Sequence, residues 1–318
     1  MRLLRAADID RACPMADAIA AVEAGFAALS GGRATVPVRA SVPLAREGVA
    51  LSMPAALSGG PHWSVKLVTV APGNPGRGLP LIAASVLLGD AETGMPLALL
   101  DGTRLTALRT GAAGGVAAKA LARPESGVVA LFGAGAQART QLAAISSVLE
   151  GGLRELRIVA RDPSHAARFA AEAARDGVRV VASTAEDAVR GADIVITATS
   201  SATPVFPGRA LSKGVHVTAV GSFKPTMCEL DDDTLRGARI VVDQREAALA
   251  EAGELEGLSG ADVTEIGEVI ARTAPGRRSA GERTVFKSVG NAIQDLVVAS
   301  RVYERALEMG LGEEIAWP

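Results

Sequence analysis

Val128-Val129-Ala130-Leu131-Phe132-Gly133-Ala134-Gly135-Ala136-Gln137-Ala138 is the stretch that decides the fold. Five apolar residues in a row predict a short strand buried on both faces. Glycines follow, and then a helical pattern runs from Gln137 to Leu149. A Gly-x-Gly-x-x-small run means little alone, but between a strand and a helix it reads as the phosphate-binding turn of a dinucleotide fold. Gly133 permits the turn, and Gly135 lets the backbone approach a pyrophosphate. Ala138 replaces the third glycine and still allows close helix–strand packing. Ala136 and Gln137 open the helix at whose N-terminus the pyrophosphate charge would sit.

The same alternation continues downstream. Leu156–Ala160, Val178–Val181, Ile194–Thr197, His216–Val220 and Ile240–Val242 read as strands, and Ser164–Arg175 as an alanine-rich helix. Repeated β-α units with short links predict a parallel, doubly wound sheet. Open α/β sheets bind ligands beyond the carboxyl ends of their strands. Thr197, Thr199, Ser200, Val220, Ser222 and, before the last helix, Val289 and Gly290 are therefore candidate contacts, with ordinary packing or capping as the competing reading. The second strand ends Ile158-Val159-Ala160-Arg161-Asp162. NAD enzymes place an acid there for the ribose 2′-OH, whereas this chain has Ala160 and then Arg161, suited to a 2′-phosphate, with Ser164 and His165 beside it. That favours NADPH, with NADH possible; the alternative makes Arg161 a solvated charge and gives Asp162 the ribose.

Before residue 120 the pattern changes. Met15–Leu29 reads as an amphipathic helix, and Val36–Val42, Trp63–Val70, Leu81–Leu88 and Met95–Leu100 as strands of a mainly antiparallel sheet. A connecting helix over Thr106–Ala122 is ended by Pro124. The last helical pattern, Val289–Met309, is expected to pack back on the first domain. The expected architecture is a Rossmann domain over residues 121–292, plus a discontinuous α+β domain formed by 1–120 with 293–318.

The 318 residues are 48% hydrophobic but only 3% aromatic, so the core is built of Ala, Val, Leu and Ile. The 33 basic and 35 acidic residues are mixed along the chain and give a net charge of −2, which offers nothing to nucleic acid or an anionic membrane. Cys13 and Cys228 lie far apart, and the three histidines have no HExxH spacing, so neither a disulfide framework nor a metal is expected. A charged N-terminus without a long apolar run argues against a signal peptide and for a soluble, cytoplasmic protein.

Three cations outside the Rossmann segment point to an anionic substrate. Lys66 falls between apolar neighbours in Ser64-Val65-Lys66-Leu67-Val68-Thr69, where burial is costly unless it faces a polar pocket. Arg39 in Val36-Pro37-Val38-Arg39 and Arg109 in Leu105-Thr106-Ala107-Leu108-Arg109-Thr110 suit bidentate carboxylate binding, although each alone reads as a surface charge. Thr110 and Ser85 are candidate hydrogen-bonding groups toward cofactor or substrate, and a threonine near a helix start is as often a cap.

These motifs, taken in order with Asp101-Gly102, Leu121-Ala122-Arg123-Pro124, Ala219-Val220-Gly221-Ser222, Glu229-Leu230 and Val285-Phe286-Lys287-Ser288-Val289-Gly290-Asn291-Ala292 with Asp295, resemble the ornithine cyclodeaminase/μ-crystallin family over nearly the full length. The resemblance implies that Arg39, Lys66 and Arg109 hold a substrate carboxylate, that the first domain makes a homodimer, and that hydride moves between the nicotinamide and a carbon next to nitrogen. Cyclodeaminases and the alanine dehydrogenase branch carry an Asp two residues after the glycine matching Gly221. This chain has Phe223 there, in Gly221-Ser222-Phe223-Lys224-Pro225, as the ketimine-reductase branch also lacks the Asp. Phenylalanine handles no proton, which argues against amine deprotonation and deamination. The implied activity is reduction of Δ1-pyrroline-2-carboxylate and Δ1-piperideine-2-carboxylate to L-proline and L-pipecolate. Arg39 and Arg109 would clamp the carboxylate, and Lys66 would assist them or relay a proton; Ser85 and Gly290 are further substrate candidates. The alternatives are an open-chain amino-acid dehydrogenase, ornithine cyclodeamination, and a non-catalytic NADPH-binding protein.

Overall fold

Strand β1 (Arg2–Leu4) is followed by helices α1 (Ala6–Ala12) and α2 (Met15–Ser30). Pro14, which a helix interior would not accept, separates them and stands at the N-cap of α2. Ala18, Ile19, Val22, Gly25 and Phe26 recur at helical spacing and make the buried face of α2. Six strands come next: β2 (Ala34–Thr35), β3 (Ala40–Pro43), β4 (Val49–Leu57), β5 (His62–Val70), β6 (Ile82–Asp90) and β7 (Pro96–Asp101). The last four form an antiparallel meander, and β1 adds to β7 in parallel. The sequence pattern offers no strand at β4, because Pro54 stands in its middle and proline normally breaks a ladder. It is accommodated where β4 is paired on one side only. β3 covers Val49–Ser52 and β2 covers Ala56 and Leu57, which leaves Met53–Ala55 without a partner on that side.

Helix α3 (Gly102–Leu121) leads to the parallel sheet. Its elements are β8 (Val128–Phe132), α4 (Ala136–Val148), β9 (Glu155–Val159), α5 (Pro163–Ala173), β10 (Arg179–Ala182), α6 (Ala185–Val189), β11 (Ile194–Thr197), β12 (His216–Ala219), α7 (Asp232–Leu235), β13 (Arg239–Val242), α8 (Arg245–Glu251), β14 (Val263–Glu265), α9 (Ile266–Ile270) and β15 (Thr284–Lys287). The strand order is β10-β9-β8-β11-β12-β15-β13-β14, with every pairing parallel. β8 lies in the sheet interior between β9 and β11, and its continuous apolar run is explained by two cores. Val129 and Leu131 pack with Ile145 and Phe169 on one face, while Ala130 and Phe132 pack with Val189 and Phe206 on the other. Each such large side chain contributes about 1.5–3 kcal/mol by leaving water. The chain winds outward through β9 and β10, then returns to β11 beside β8. That reversal creates a crevice at the carboxyl ends of β8 and β11, where doubly wound sheets bind ligands.

Helix α10 (Ala292–Met309) and strand β16 (Glu313–Glu314) end the described chain, which covers residues 1–316 of this computed structural model. α10 packs on α1, α2 and strands β4, β5 and β6, and β16 pairs with β1. Two compact units result: Met1–Arg109 with the chain from Asn291 onward, and Thr110–Gly290. The first division therefore falls inside α3, where the sequence pattern suggests its end near residue 120. Among the described residues, no single helix is long and apolar enough to cross a membrane.

Candidate active site

Strand β5 alternates strictly, so His62, Ser64, Lys66, Val68 and Val70 share its buried face. α10 packs on β5, and its first turn carries Gln294 and Asp295. Lys66 Nζ lies 2.6 Å from Asp295 Oδ2, and Arg109 Nε donates to Asp295 Oδ1 at 3.0 Å. Arg109 Nη1 also donates to Gln294 Oε1 at 2.6 Å. Lys66 is 2% exposed, Arg109 6%, and Asp295 and Gln294 0%. One carboxylate thus sits between two buried cations, leaving an excess positive charge in a low-dielectric place. Burial, and then the Arg109 charge, push the Lys66 ammonium from its usual 10.5 down to about 8, against the pull of Asp295. Arg39 is half-buried, and its charge also lowers the Lys66 value. The three predicted cations are therefore electrostatically coupled. Ser85 is not part of this group. It pairs in register with Leu67 rather than Lys66, so it lies on the opposite face of the sheet and is exposed.

In the second unit, Gly133 has φ +114°, and an added Cβ would lie 2.5 Å from Ala198 O. Only glycine fits there. Gly135 N-caps the 13-residue α4 with no side-chain cap, and a Cβ on it would meet nothing within 4 Å. Open space therefore lies over the orphan N–H groups that begin at Ala136, as a bound pyrophosphate requires. Gln137 Oε1 and Thr197 Oγ1 are buried with no partner. A bare backbone cradle and two orphaned polar atoms fit a dinucleotide. At the end of β9, Asp162 caps α5 by accepting from Ser164 N at 2.8 Å, and this hydrogen bonding holds its carboxyl below the usual range. Arg161, Ser164 and His165 are exposed.

Two predicted cofactor residues are otherwise engaged. Thr199 N and Oγ1 both donate to Glu229 Oε1 at 2.7 Å. Ser222 Oγ donates to Glu254 at 2.7 Å, and Lys287 Nζ donates to Ser222 O at 2.7 Å. Glu229 also accepts from Gly221 N at 2.7 Å. These buried charges fasten the backbone ahead of Phe223, whose side chain is half-buried. Thr110 is buried, and its carbonyl accepts from Gln141 Nε2 at 2.8 Å. Gly290 N donates to the buried Asp243 at 2.8 Å, so this glycine has a fixed backbone role. Val220 is half-buried and donates its N–H to Thr197 O, Val289 is buried, and Ser200 is exposed.

Sequence reasoning assigns no role to Gln294 or Glu254, and quotes Asn291, Asp295, Glu229 and Lys287 only as motif residues. One signal was available. Lys287 in Thr284-Val285-Phe286-Lys287 is a lysine in an apolar run, as Lys66 is, and it is equally buried. The acids that pair with these lysines lie far away along the chain and leave no local trace.

The ornithine cyclodeaminase/mu-crystallin family model matches residues 1–310. A Δ1-pyrroline-2-carboxylate reductase of Bacillus cereus is 40% identical over 95% of this chain and 95% of its own. The Thermococcus litoralis Δ1-pyrroline-2-carboxylate reductase, solved with NADH and L-proline, is 38% identical with a TM-score of 0.93, covering 99% of this chain and 100% of that one. An archaeal alanine dehydrogenase dimer with bound NAD is 36% identical with a TM-score of 0.94, over 100% of this chain and 99% of that one.

Proposed function

The chain belongs to the ornithine cyclodeaminase/mu-crystallin family, and from that premise we propose that it reduces the cyclic ketimines Δ1-pyrroline-2-carboxylate and Δ1-piperideine-2-carboxylate to L-proline and L-pipecolate. The observation that carries this is the pair of buried cations, Lys66 and Arg109, sharing the single carboxylate of Asp295. Their excess charge suits a substrate carboxylate, and Arg39 adds to it. Arg109 offers a planar donor fork already oriented by Asp295 and Gln294, so little ordering remains to be done on binding. Reduction of C=N adds hydride to carbon and a proton to nitrogen. The reduced nicotinamide supplies the hydride. Lys66, with a value of about 8, holds a proton at neutral pH yet releases it more readily than an ordinary lysine. Its neutral form is then stabilised by the same burial that lowered its proton affinity. Phe223 provides no base for deprotonating an amine, which supports imine reduction over oxidative deamination.

Arg161 favours NADPH. It is exposed, and Asp162 is committed to capping α5, so an arginine rather than an acid is available to the ribose. The homodimer belongs to the same proposal. Val38, Val42, Leu44 and Leu67 are between 43% and 74% exposed, and Leu67 lies on the sheet face opposite α10. Val42 and Leu67 line one surface hollow together with Ala40, Leu51 and Ala83, and an exposed apolar sheet face of this kind suits a second copy of the chain. Both cysteines are free thiols, in keeping with a reducing cytoplasm.

Oxidation of an open-chain amino acid is the second reading, favoured by the likeness to the archaeal alanine dehydrogenase and opposed by Phe223. Purified enzyme given NADPH and each cyclic imine should consume the cofactor. NAD+ reduction with alanine or ornithine, and none of the imine reaction, would replace the proposal with the second reading.

A further inference from the structure

Gln294 does one visible task and has one group left over. Its Oε1 accepts from Arg109 Nη1 at 2.6 Å, and arginine has donors only, so the orientation of the amide is forced. Nε2 must therefore point away from Arg109, and it is buried with no partner in a side chain that is 0% exposed. An unsatisfied buried donor is costly unless something arrives to accept from it. One helical turn earlier, Asn291 repeats the pattern. It occupies the N-cap of the 18-residue α10 yet makes no side-chain cap, and both its Nδ2 and Oδ1 are buried without partners. Residues three apart share a helix face. The first turn of α10 thus presents two idle amides next to Asp295, the counter-ion of Lys66 and Arg109.

We infer that Gln294 is a specificity-determining substrate residue, its Nε2 donating to a carboxylate oxygen of the imino acid held by Arg109. The inference rests on the cyclic-imine reading and adds a neutral donor to the cationic clamp. The chemistry explains why glutamine stands there. A glutamate would also accept from Arg109, but it would consume the guanidinium charge and face the substrate with an acceptor. Glutamine orients Arg109 without neutralising it and turns a donor toward the anion. It also discriminates between ligands, since a primary carboxamide in place of the carboxylate would set donor against donor at one of its two positions.

The experiment compares wild-type holoenzyme with Gln294→Glu and Gln294→Leu, using KM for Δ1-pyrroline-2-carboxylate and direct binding of L-proline and L-prolinamide. Losing a hydrogen bond to a charged group should raise KM and the L-proline Kd about 10- to 100-fold in both variants. Cofactor affinity should be unchanged. Gln294→Glu should in addition bind L-prolinamide at least as well as wild type does, because the new carboxylate accepts from the ligand amide. Equal weakening of both ligands in Gln294→Glu would mean a purely structural role and overturn the inference, and so would unchanged KM in Gln294→Leu. If wild-type enzyme binds neither L-proline nor the imine, the parent reading falls too. If wild type binds them and the variants match it, only Gln294 is misassigned.

Discussion

Asp295→Asn removes the carboxylate charge that Lys66 and Arg109 share while keeping the side chain's size, and its consequences can be worked from the geometry. The side chain is fully buried and faces Lys66 Nζ at 2.6 Å and Arg109 Nε at 3.0 Å. Stripping the charge from a buried ion pair typically costs about 3–5 kcal/mol, since the remaining cations keep their desolvation penalty. At about 2–4 °C per kcal/mol, Tm should fall by about 6–20 °C. The pH dependence has a defined sign. The folded-state value of Lys66 lies below its ordinary value of 10.5, so above it the unfolded chain binds more protons than the folded one, and stability rises with pH until the unfolded value is reached. Without Asp295 the folded value drops below about 8, so the variant should regain stability over a wider window as the pH is raised. Lys66→Met combined with Asp295→Asn should be more stable than Asp295→Asn alone, because one stranded cation is gone. Thermal melts followed by circular dichroism across this pH range measure all three effects. A single variant that melts with wild type, or a double variant less stable than the single one, would refute the reasoning.

Three further outcomes are expected. kcat/KM for the imine should fall about tenfold per pH unit above about 8 as Lys66 loses its proton, and Lys66→Arg should abolish that alkaline limb over the same range, which pH–rate profiles will show. Arg161→Ala should weaken NADPH about 10- to 100-fold while leaving NADH unchanged, as judged by the Kd of each cofactor. Leu67→Glu places a charge on the exposed sheet face and should yield monomers by light scattering, with the circular dichroism spectrum retained.

The Rossmann unit was legible because its determinants are local. The β8 strand, the Gly133 turn and α4 are contiguous, and each element carries its own period. β15 was not, because Thr284–Lys287 is short and enters the sheet between β12 and β13 after a polar stretch that gives no helix signal. β4 was hidden by Pro54, which reads as a breaker unless the gap between its neighbours β2 and β3 is known. The site shows the same division. Lys66 stood out because a lysine in an apolar strand needs an explanation, and Arg109 and Arg39 could be set beside it by resemblance. The explanation itself, Asp295, lies 186 residues from Arg109 on a helix that only tertiary packing brings back. Ser85 shows the converse case. A candidate of suitable chemistry was assigned without its register, and one residue of register decides which face of a sheet a side chain occupies.

The most direct test of the central claim is hydride transfer itself. NADPH carrying deuterium at the transferable C4 position is supplied with Δ1-pyrroline-2-carboxylate, and the amino acid formed is analysed by mass spectrometry and NMR. The account requires L-proline bearing deuterium at its α-carbon, with formation suppressed in Lys66→Met and Arg109→Met. Absence of labelled proline from wild-type enzyme, or labelled alanine formed instead from pyruvate and ammonia, would contradict it.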